Sequence, residues 1–199
     1  MRAVQFTILE SSCVPLLVEN IDTDQIIPAR YLSATSREGF GKNLFRDWRY
    51  KSDGTPDTGF VLNNPAYTGS ILVAGRNFGC GSSREHAVWA LSDYGFRAVV
   101  SSFFADIFKN NALNNGLLPV VVPEKTLENL FMLIRKEPEM KVKIDLEHQL
   151  FEIPKTGTAV RFDINPWKKE CLLKGLDDVD YLLGLKDKIE EFEIKRYGR

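Results

Sequence analysis

The sequence has few residues of the kinds that bind metal ions. It contains two histidines and three cysteines in 199 residues. Cys13, Cys80 and Cys171 stand far apart and form no C-x-x-C pair, and neither histidine belongs to an H-E-x-x-H pattern. Zinc sites and locally ligated iron–sulfur clusters use closely spaced ligands, so we expect this chain to bind no metal or other cofactor by itself.

The sequence also lacks an excess of charge of one sign and a long apolar run. Its formal net charge is -1, which gives no electrostatic reason to expect a nucleic acid or an acidic membrane as a partner. No apolar run approaches the roughly 20 residues of a membrane span, and the N-terminus has no signal-peptide pattern. Because scattered cysteines also suit a reducing compartment, we predict a cytoplasmic location.

Length and composition predict one domain over residues 1–199, since 44% of the residues are apolar and can form a core. Residues 20–68 are predicted to be a long irregular region, which is uncommon unless it is functional or ordered by a partner. Its aromatic residues form either a partner-binding patch or a small core under the loop. The charged tail at 186–199 is predicted to be a solvated helix or an edge of the partner interface.

Alternation of strand and helix patterns from residue 71 onward predicts an α/β fold with a central, largely parallel unit. The predicted strands are 4–9, 14–18, 71–74, 98–101 and 119–122, followed by β pairs within 142–153 and 159–164. The predicted helices are 83–94, 104–114, 127–135, 166–174 and 179–185.

Residues 75–87 are the most informative segment, because three glycines, two serines and two arginines lie between a predicted strand and a helix. Ser82 and Glu85 have the spacing of a capping box, so the helix is predicted to begin near Ser83. Free N–H groups at a helix N-terminus favour a bound anion. Arg84 is unfavourable for the helix dipole there, which indicates function. The alternative is that Ser82 only caps the helix and Arg84 is solvated.

Known phosphate-binding loops do not match this segment. A Walker loop needs lysine where Gly81 stands, and a dinucleotide fingerprint needs a glycine where Arg84 stands. Nucleotide binding is therefore disfavoured.

Residues 81–87 (Gly-Ser-Ser-Arg-Glu-His-Ala) resemble the signature of the swivelling domain of the aconitase superfamily. Residues 20–28 resemble a second segment of that family, in the form found in the small subunits of its isopropylmalate-isomerising members. Further similar blocks lie within 39–50 and 103–119, and all of them keep the family's order.

The resemblance implies a swivelling β/β/α architecture and a hydro-lyase activity. It implies interconversion of 2-isopropylmalate and 3-isopropylmalate through isopropylmaleate, by dehydration and rehydration, in leucine biosynthesis. It also implies a large subunit as partner, which carries a four-iron four-sulfur cluster whose iron acts as a Lewis acid.

The same resemblance implies roles for individual residues. Ser82 is the catalytic base, acting as an alkoxide that the N–H groups around Gly81 and the helix N-terminus stabilise. Asp24 orients that serine or its water network. Ser83 binds the substrate or the oxyanion, and Arg84 clamps a substrate carboxylate through two hydrogen bonds.

Other residues within 20–33 are weaker candidates for the site. Thr23 is a candidate for substrate binding, whereas Asp22, and alternatively Asp24, can serve as an Asx turn or helix cap. In the superfamily the loop after Pro28 contacts the substrate substituent that differs between substrates, either a carboxylate or an isopropyl group. Arg30 would pair with a carboxylate and Leu32 would cover an isopropyl group, and we favour Leu32. The alternative is that Leu32 is an ordinary core residue.

Three further residues with reactive side chains are predicted to have no catalytic role. Cys80 packs as a small apolar residue, and His86 points away from a ligand at the helix N-terminus. His148 lies in the turn of a predicted hairpin and is solvated.

Two other functions fit the sequence less well. A related small subunit would act on homoaconitate, citraconate or methylmalate. A non-catalytic anion-binding or RNA-regulatory module is disfavoured, because the sequence has no basic stripe.

Overall fold

One seven-stranded mixed sheet is the centre of the structure, a computed structural model that describes residues 5–33 and 36–198. Its strands are β1 (Ile8–Leu16), β2 (Ile71–Ala74), β3 (Ala98–Ser101), β4 (Leu118–Val121), β5 (Lys141–Asp145), β6 (Leu150–Ile153) and β7 (Thr158–Arg161). The order across the sheet is β4-β3-β2-β1-β5-β6-β7. The first four strands pair in parallel, whereas β1, β5, β6 and β7 pair antiparallel. The predicted α/β class and parallel unit are confirmed.

Eight α-helices accompany the sheet in the described part of the chain. They are α1 (Thr23–Ile26), α2 (Arg46–Arg49), α3 (Glu85–Tyr94), α4 (Asp106–Asn114), α5 (Glu124–Lys136), α6 (Pro166–Lys174), α7 (Asp178–Leu183) and α8 (Lys186–Tyr197). Three 3₁₀ turns, Ala29–Tyr31, Phe40–Asn43 and Val61–Asn63, interrupt the long segment between β1 and β2. A fourth, Pro154–Thr156, connects β6 and β7.

Two predictions of element boundaries are wrong. The strands predicted at 4–9 and 14–18 are one continuous strand, β1, whose first half (residues 8–12) pairs with β5 and whose second half (residues 13–16) pairs with β2; residue 4 lies outside the described residues. The helix predicted to begin near Ser83 begins at Glu85, with Arg84 at the N-cap and no side-chain cap. Ser82 therefore forms no capping box with Glu85.

Alternating residues of the parallel strands place core on both faces of the sheet. Ile71 and Val73 belong to a cluster with β5, β6 and helix α5, which contributes Leu130. Leu72 and Ala74 point the other way, into a second cluster with α3 and the long segment. Strands buried on both faces explain the uninterrupted apolar runs of β2 and β3.

The long segment at 20–68 contains two short α-helices and three 3₁₀ turns, and its aromatic residues are core. Phe40 and Phe45 are buried, and Trp48 and Phe60 pack against the same cluster. Phe45 stacks on Trp48 with ring centroids 5.6 Å apart. Of the two alternatives, the core under the loop is the one that the structure shows.

The C-terminal tail is helical in its described part, as one of the two alternatives predicted. Helix α8 is exposed along its whole length. Among residues 5–33 and 36–198, no helix is long and apolar enough to cross a membrane.

Candidate active site

The two sequence motifs meet where β1 and β2 end. These strands are parallel neighbours with Leu16 opposite Ala74, so the chain leaves both at the same edge of the sheet. The Ile21 carbonyl accepts from the backbone N–H groups of Gly79 and Cys80 at 2.8 and 3.2 Å. Asp22 and Cys80 form an isolated parallel bridge. The segment at 20–26 and the loop at 77–84 thus lie side by side, although about 60 residues of sequence separate them.

Two glycines of this loop have backbone conformations that other residues rarely adopt. Gly79 has φ of +76°, and a Cβ there would stand 2.2 Å from the ring of Phe108. Gly81 has φ of +87° with no steric obstruction closer than 3.4 Å. Gly79 therefore permits close packing on α4, whereas Gly81 serves only the shape of the loop.

Ser82 lies on the surface at the tip of this arrangement. Residues 81–83 are exposed, and within the described part of the chain no group hydrogen-bonds the Ser82 hydroxyl. The backbone N–H groups of residues 81–85 also have no acceptor among the described residues. An exposed hydroxyl beside several free N–H donors at the start of α3 is an arrangement that can hold an anion.

Arg84 and Asp24 form an ion pair across the two segments. The Arg84 side chain is only 14% exposed, whereas that of Asp24 is 53% exposed. Asp24 thus contacts Arg84, and no hydrogen bond joins it to Ser82. The predicted orientation of Ser82 or its water network by Asp24 stays a prediction.

Thr23 is placed differently from its prediction as a substrate contact. The residue is 2% exposed, and its Oγ1 donates to the carbonyl oxygen of Ser82 at 2.8 Å. In this structure the Thr23 hydroxyl is therefore buried and bonded to the loop. Asp22 caps α1 in a capping box with Gln25, as the alternative for Asp22 predicted.

Residues 29–33 form no hydrogen bond or ion pair with the Ser82 loop in the described part of the chain. Arg30 forms an exposed ion pair with Asp47, and this hydrogen-bonded pair lowers the pKa of the Asp47 carboxyl. Leu32 is half-buried and packs with Tyr31 against the second core cluster. Residues 34 and 35, which follow, lie outside the described residues.

Cys80 lies in the loop with its Sγ 3.4 Å from the Asn20 carbonyl oxygen. Burial and the nearby Asp22 carboxylate raise the pKa of the thiol, so a thiolate is disfavoured. In the described residues no group of three or more His, Cys, Asp or Glu is arranged to hold a metal ion. The described residues therefore offer no donor set that fits an iron–sulfur cluster.

The two histidines have different surroundings. His86 lies among aromatic rings, 4.5 Å from Trp89 and 5.7 Å from Phe40 between centroids. His148 lies in the β5–β6 turn, where its exposed ring contacts Asp145 at 3.0 Å.

Two residues near the loop were not among the predicted site residues. The Asn111 amide lies 3.5 Å from the Ser83 hydroxyl, and Arg37 contacts Glu85 at 3.4 Å and lies 4.7 Å from the Trp89 ring centroid. Both contacts join distant parts of the sequence, so no local pattern indicates them.

Comparison with known proteins identifies the family. The model of the aconitase C-terminal domain matches residues 3–125. The 3-isopropylmalate dehydratase small subunit of Cytophaga hutchinsonii is 57% identical over 95% of this chain and 94% of its own length. That of Christiangramia forsetii is 57% identical over 98% of this chain and 95% of its own length. The chain belongs to the 3-isopropylmalate dehydratase small-subunit family.

A solved member of this family has the same fold. The crystal structure of 3-isopropylmalate dehydratase from Methanocaldococcus jannaschii superposes with a TM-score of 0.67 at 28% identity, covering 92% of this chain and 98% of that one. The expected architecture of the aconitase-superfamily swivelling domain is thereby confirmed. The family match spans both segments of the candidate site, which lie within residues 3–125.

Proposed function

We propose that this chain is the small subunit of a cytoplasmic 3-isopropylmalate dehydratase and that it works only with a large subunit. The enzyme interconverts 2-isopropylmalate and 3-isopropylmalate through isopropylmaleate in leucine biosynthesis. Similarity over nearly the whole length of curated small subunits supports this activity. The exposed Ser82 loop with its free N–H groups carries the proposal, because it is a site open to a partner's surface.

Ser82 is the base in this proposal. Removing a proton from the carbon beside a carboxylate needs a base and groups that stabilise the negative charge formed. A serine hydroxyl is a weak acid, so its anion needs strong stabilisation. The unpaired N–H groups at 81–85, the N-terminus of α3 and the adjacent Arg84 guanidinium supply it.

Arg84 and Ser83 hold the substrate. The guanidinium has five donors in a fixed fork, so its contact with Asp24 leaves donors for a substrate carboxylate. Asp24 fixes the direction of that fork, which is a more direct role than orienting Ser82. The Ser83 hydroxyl, close to the Asn111 amide, donates to substrate or oxyanion.

Specificity follows from the residues after Pro28. The charge of Arg30 is already paired with Asp47, which leaves it less suited to a third substrate carboxylate. Leu32 is half-exposed on the same turn, so its side chain can cover an isopropyl group once the large subunit is bound.

The large subunit carries the four-iron four-sulfur cluster in this proposal. When bound, the cluster supplies Lewis-acid chemistry at the substrate hydroxyl and carboxylate. The residues of the present chain bind and orient the substrate and remove its proton.

Reconstitution with the large subunit tests the function. The parent pair should convert 2-isopropylmalate faster than homoaconitate, citraconate or methylmalate. The rate is measured by the absorbance of the unsaturated intermediate. Ser82→Ala should leave assembly intact and lower kcat by about 10²–10⁴-fold, as expected for loss of a general base. Ser92→Ala, an exposed serine on α3, is the matched control and should behave as the parent. A Ser82→Ala pair with parental turnover would remove Ser82 from the mechanism.

A further inference from the structure

Thr23 contacts the Ser82 loop through both its main chain and its side chain. Its backbone N–H donates to the Cys80 carbonyl at 2.9 Å. Its hydroxyl donates to the Ser82 carbonyl at 2.8 Å. One buried residue, 2% exposed, therefore fixes two carbonyl groups that are two residues apart.

These two hydrogen bonds also determine where two N–H groups point. In a planar trans peptide the C=O of one residue and the N–H of the next point in opposite directions, and the described residues contain no cis peptide. With the carbonyls of Cys80 and Ser82 directed at Thr23, the N–H groups of Gly81 and Ser83 point away from it. Neither N–H has an acceptor among residues 5–33 and 36–198.

The conformation of Gly81 fits this arrangement. Its φ of +87° lies in the left-handed region, and successive residues that alternate into that region make concave groups of N–H donors that bind anions. The space around a Cβ at Gly81 is open to 3.4 Å, so packing does not explain the glycine. The direction of the backbone does.

We propose that Thr23 is a positioning residue that aims the N–H groups of Gly81 and Ser83 at the negative charge formed in the reaction. Its hydroxyl orients the Ser83 N–H by binding the Ser82 carbonyl, and its backbone N–H orients the Gly81 N–H by binding the Cys80 carbonyl. Thr23 touches no substrate, so its contribution is to the transition state through the loop. This role deepens the proposed function and depends on it.

Thr23→Val in the reconstituted pair removes the hydroxyl and keeps the size and the backbone N–H. We expect kcat to fall by about 10- to 100-fold, somewhat less than the loss of an oxyanion-hole donor, while KM changes by less than about threefold. Thr23→Ser retains the hydroxyl and should restore kcat to within about threefold of the parent. A split between kcat and KM with rescue by serine is not expected from a residue that only fills space.

Three results would overturn the positioning role. They are parental kcat in Thr23→Val, equal losses in the valine and serine variants, or a rise in KM without a change in kcat. If the valine variant fails to assemble, Thr23→Ala is compared with Thr23→Ser by the same criteria. Failure of the parent pair to turn over isopropylmalate would instead contradict the proposed function, so the two failures are distinguishable.

Discussion

At the scale of single residues, Arg84 must bind two carboxylates at once in the proposed reaction, those of Asp24 and of the substrate. Its largely covered guanidinium is paired with Asp24, and the substrate carboxylate must bind the remaining donors. A lysine ammonium is a point charge and cannot bond two carboxylates in fixed planar geometry. The pair with Asp24 therefore makes arginine the required residue.

Arg84→Lys in the assembled pair should raise KM and lower kcat together. Loss of a bidentate charged contact costs about 1.5–3 kcal/mol, which corresponds to about a 10- to 100-fold loss in kcat/KM. Steady-state kinetics measure this, with Arg135→Lys on the exposed side of α5 as control. Parental kinetics for Arg84→Lys would rule out the clamp.

The individual site residues could be predicted only in part. The spacing and composition of residues 75–87 indicated the loop, and the resemblance pointed to Ser82, Arg84 and Asp24. The burial of Thr23 could not be foreseen, because it depends on a contact 59 positions away in the sequence. The roles of Ser82, Arg84 and Asp24, like those of Ser83, Gly81, Leu32 and Arg30, stay predictions.

At the scale of secondary-structure elements, the start of α3 shows the same limit. The Ser82–Glu85 pattern predicts a capped helix, yet Ser82 lies in the loop bound to Thr23 and α3 begins at Glu85. A local sequence pattern indicates which hydrogen bonds neighbouring residues can form, but it does not show whether a distant segment binds the same groups instead. Interior stretches of α4, α5 and α6 were predicted within a few residues, since their apolar periodicity reflects burial directly.

The irregular segment is organised around Arg49 at the end of α2. Arg49 is 9% exposed, and its Nη1 donates to the carbonyls of Gly41 and Leu44 at 3.3 Å each. Its guanidinium also lies 4.8 Å from the Tyr94 ring centroid, which joins the segment to α3.

Arg49→Met should destabilise the fold by about 1–3 kcal/mol, because two buried carbonyls lose their donor. For a chain of this size each kcal/mol lowers Tm by about 2–4 °C, which thermal unfolding of the isolated subunit measures. Arg46→Met on the same helix is the control, since the Arg46 guanidinium stacks on Tyr50 and donates to no buried carbonyl among the described residues. Equal Tm losses in both variants would show that Arg49 has no special role.

The β5–β6 hairpin contains a buried carboxylate, Asp145, which is 7% exposed. Burial acts to raise its pKa, but hydrogen bonds from the backbone N–H and the ring of His148 outweigh this and lower it. The N–H bond measures 2.9 Å. A carboxyl with a lowered folded pKa stabilises the fold above its unfolded pKa of about 3.9, and that stability is lost as pH falls through the folded pKa.

Asp145→Asn should therefore be less stable than the parent at pH 7, and the difference should shrink as pH falls below about 4. Urea unfolding at several pH values measures the difference. Asp163→Asn, an exposed carboxylate without an ion pair among the described residues, should show a smaller and flatter difference. A difference in the free energy of unfolding between the parent and Asp145→Asn that grows as pH falls would contradict a lowered pKa for Asp145.

At the scale of the whole molecule, the order of the strands creates the site. β1 is the central strand that pairs in parallel with β2 and antiparallel with β5. The parallel pair brings the segments after Leu16 and Ala74 to one edge. Strand patterns predicted the parallel unit, but they could not show that β1 also leads the antiparallel half, since pairing partners are not encoded in one strand's periodicity. The prediction of a single domain over residues 1–199 stays open.

The distribution of thiols over the molecule leads to the last prediction. Cys13 is buried in the sheet, where burial raises its pKa to about 12, and Cys171 is buried on α6. Cluster ligation requires thiolates that converge on one point. The isolated chain should therefore contain no stoichiometric iron or sulfide, whereas the assembled pair should contain about four of each.

Iron and acid-labile sulfide analysis of both preparations, purified without oxygen, measures this. Cys80→Ala is the informative variant, because Cys80 is the thiol beside the proposed site. It should leave the iron content of the pair unchanged and lower kcat by less than about tenfold, since the thiol of Cys80 has a raised pKa and donates to a backbone carbonyl. Stoichiometric iron in the isolated chain that disappears in Cys80→Ala would place a cluster ligand in this subunit and would contradict the proposed division of labour between the two chains.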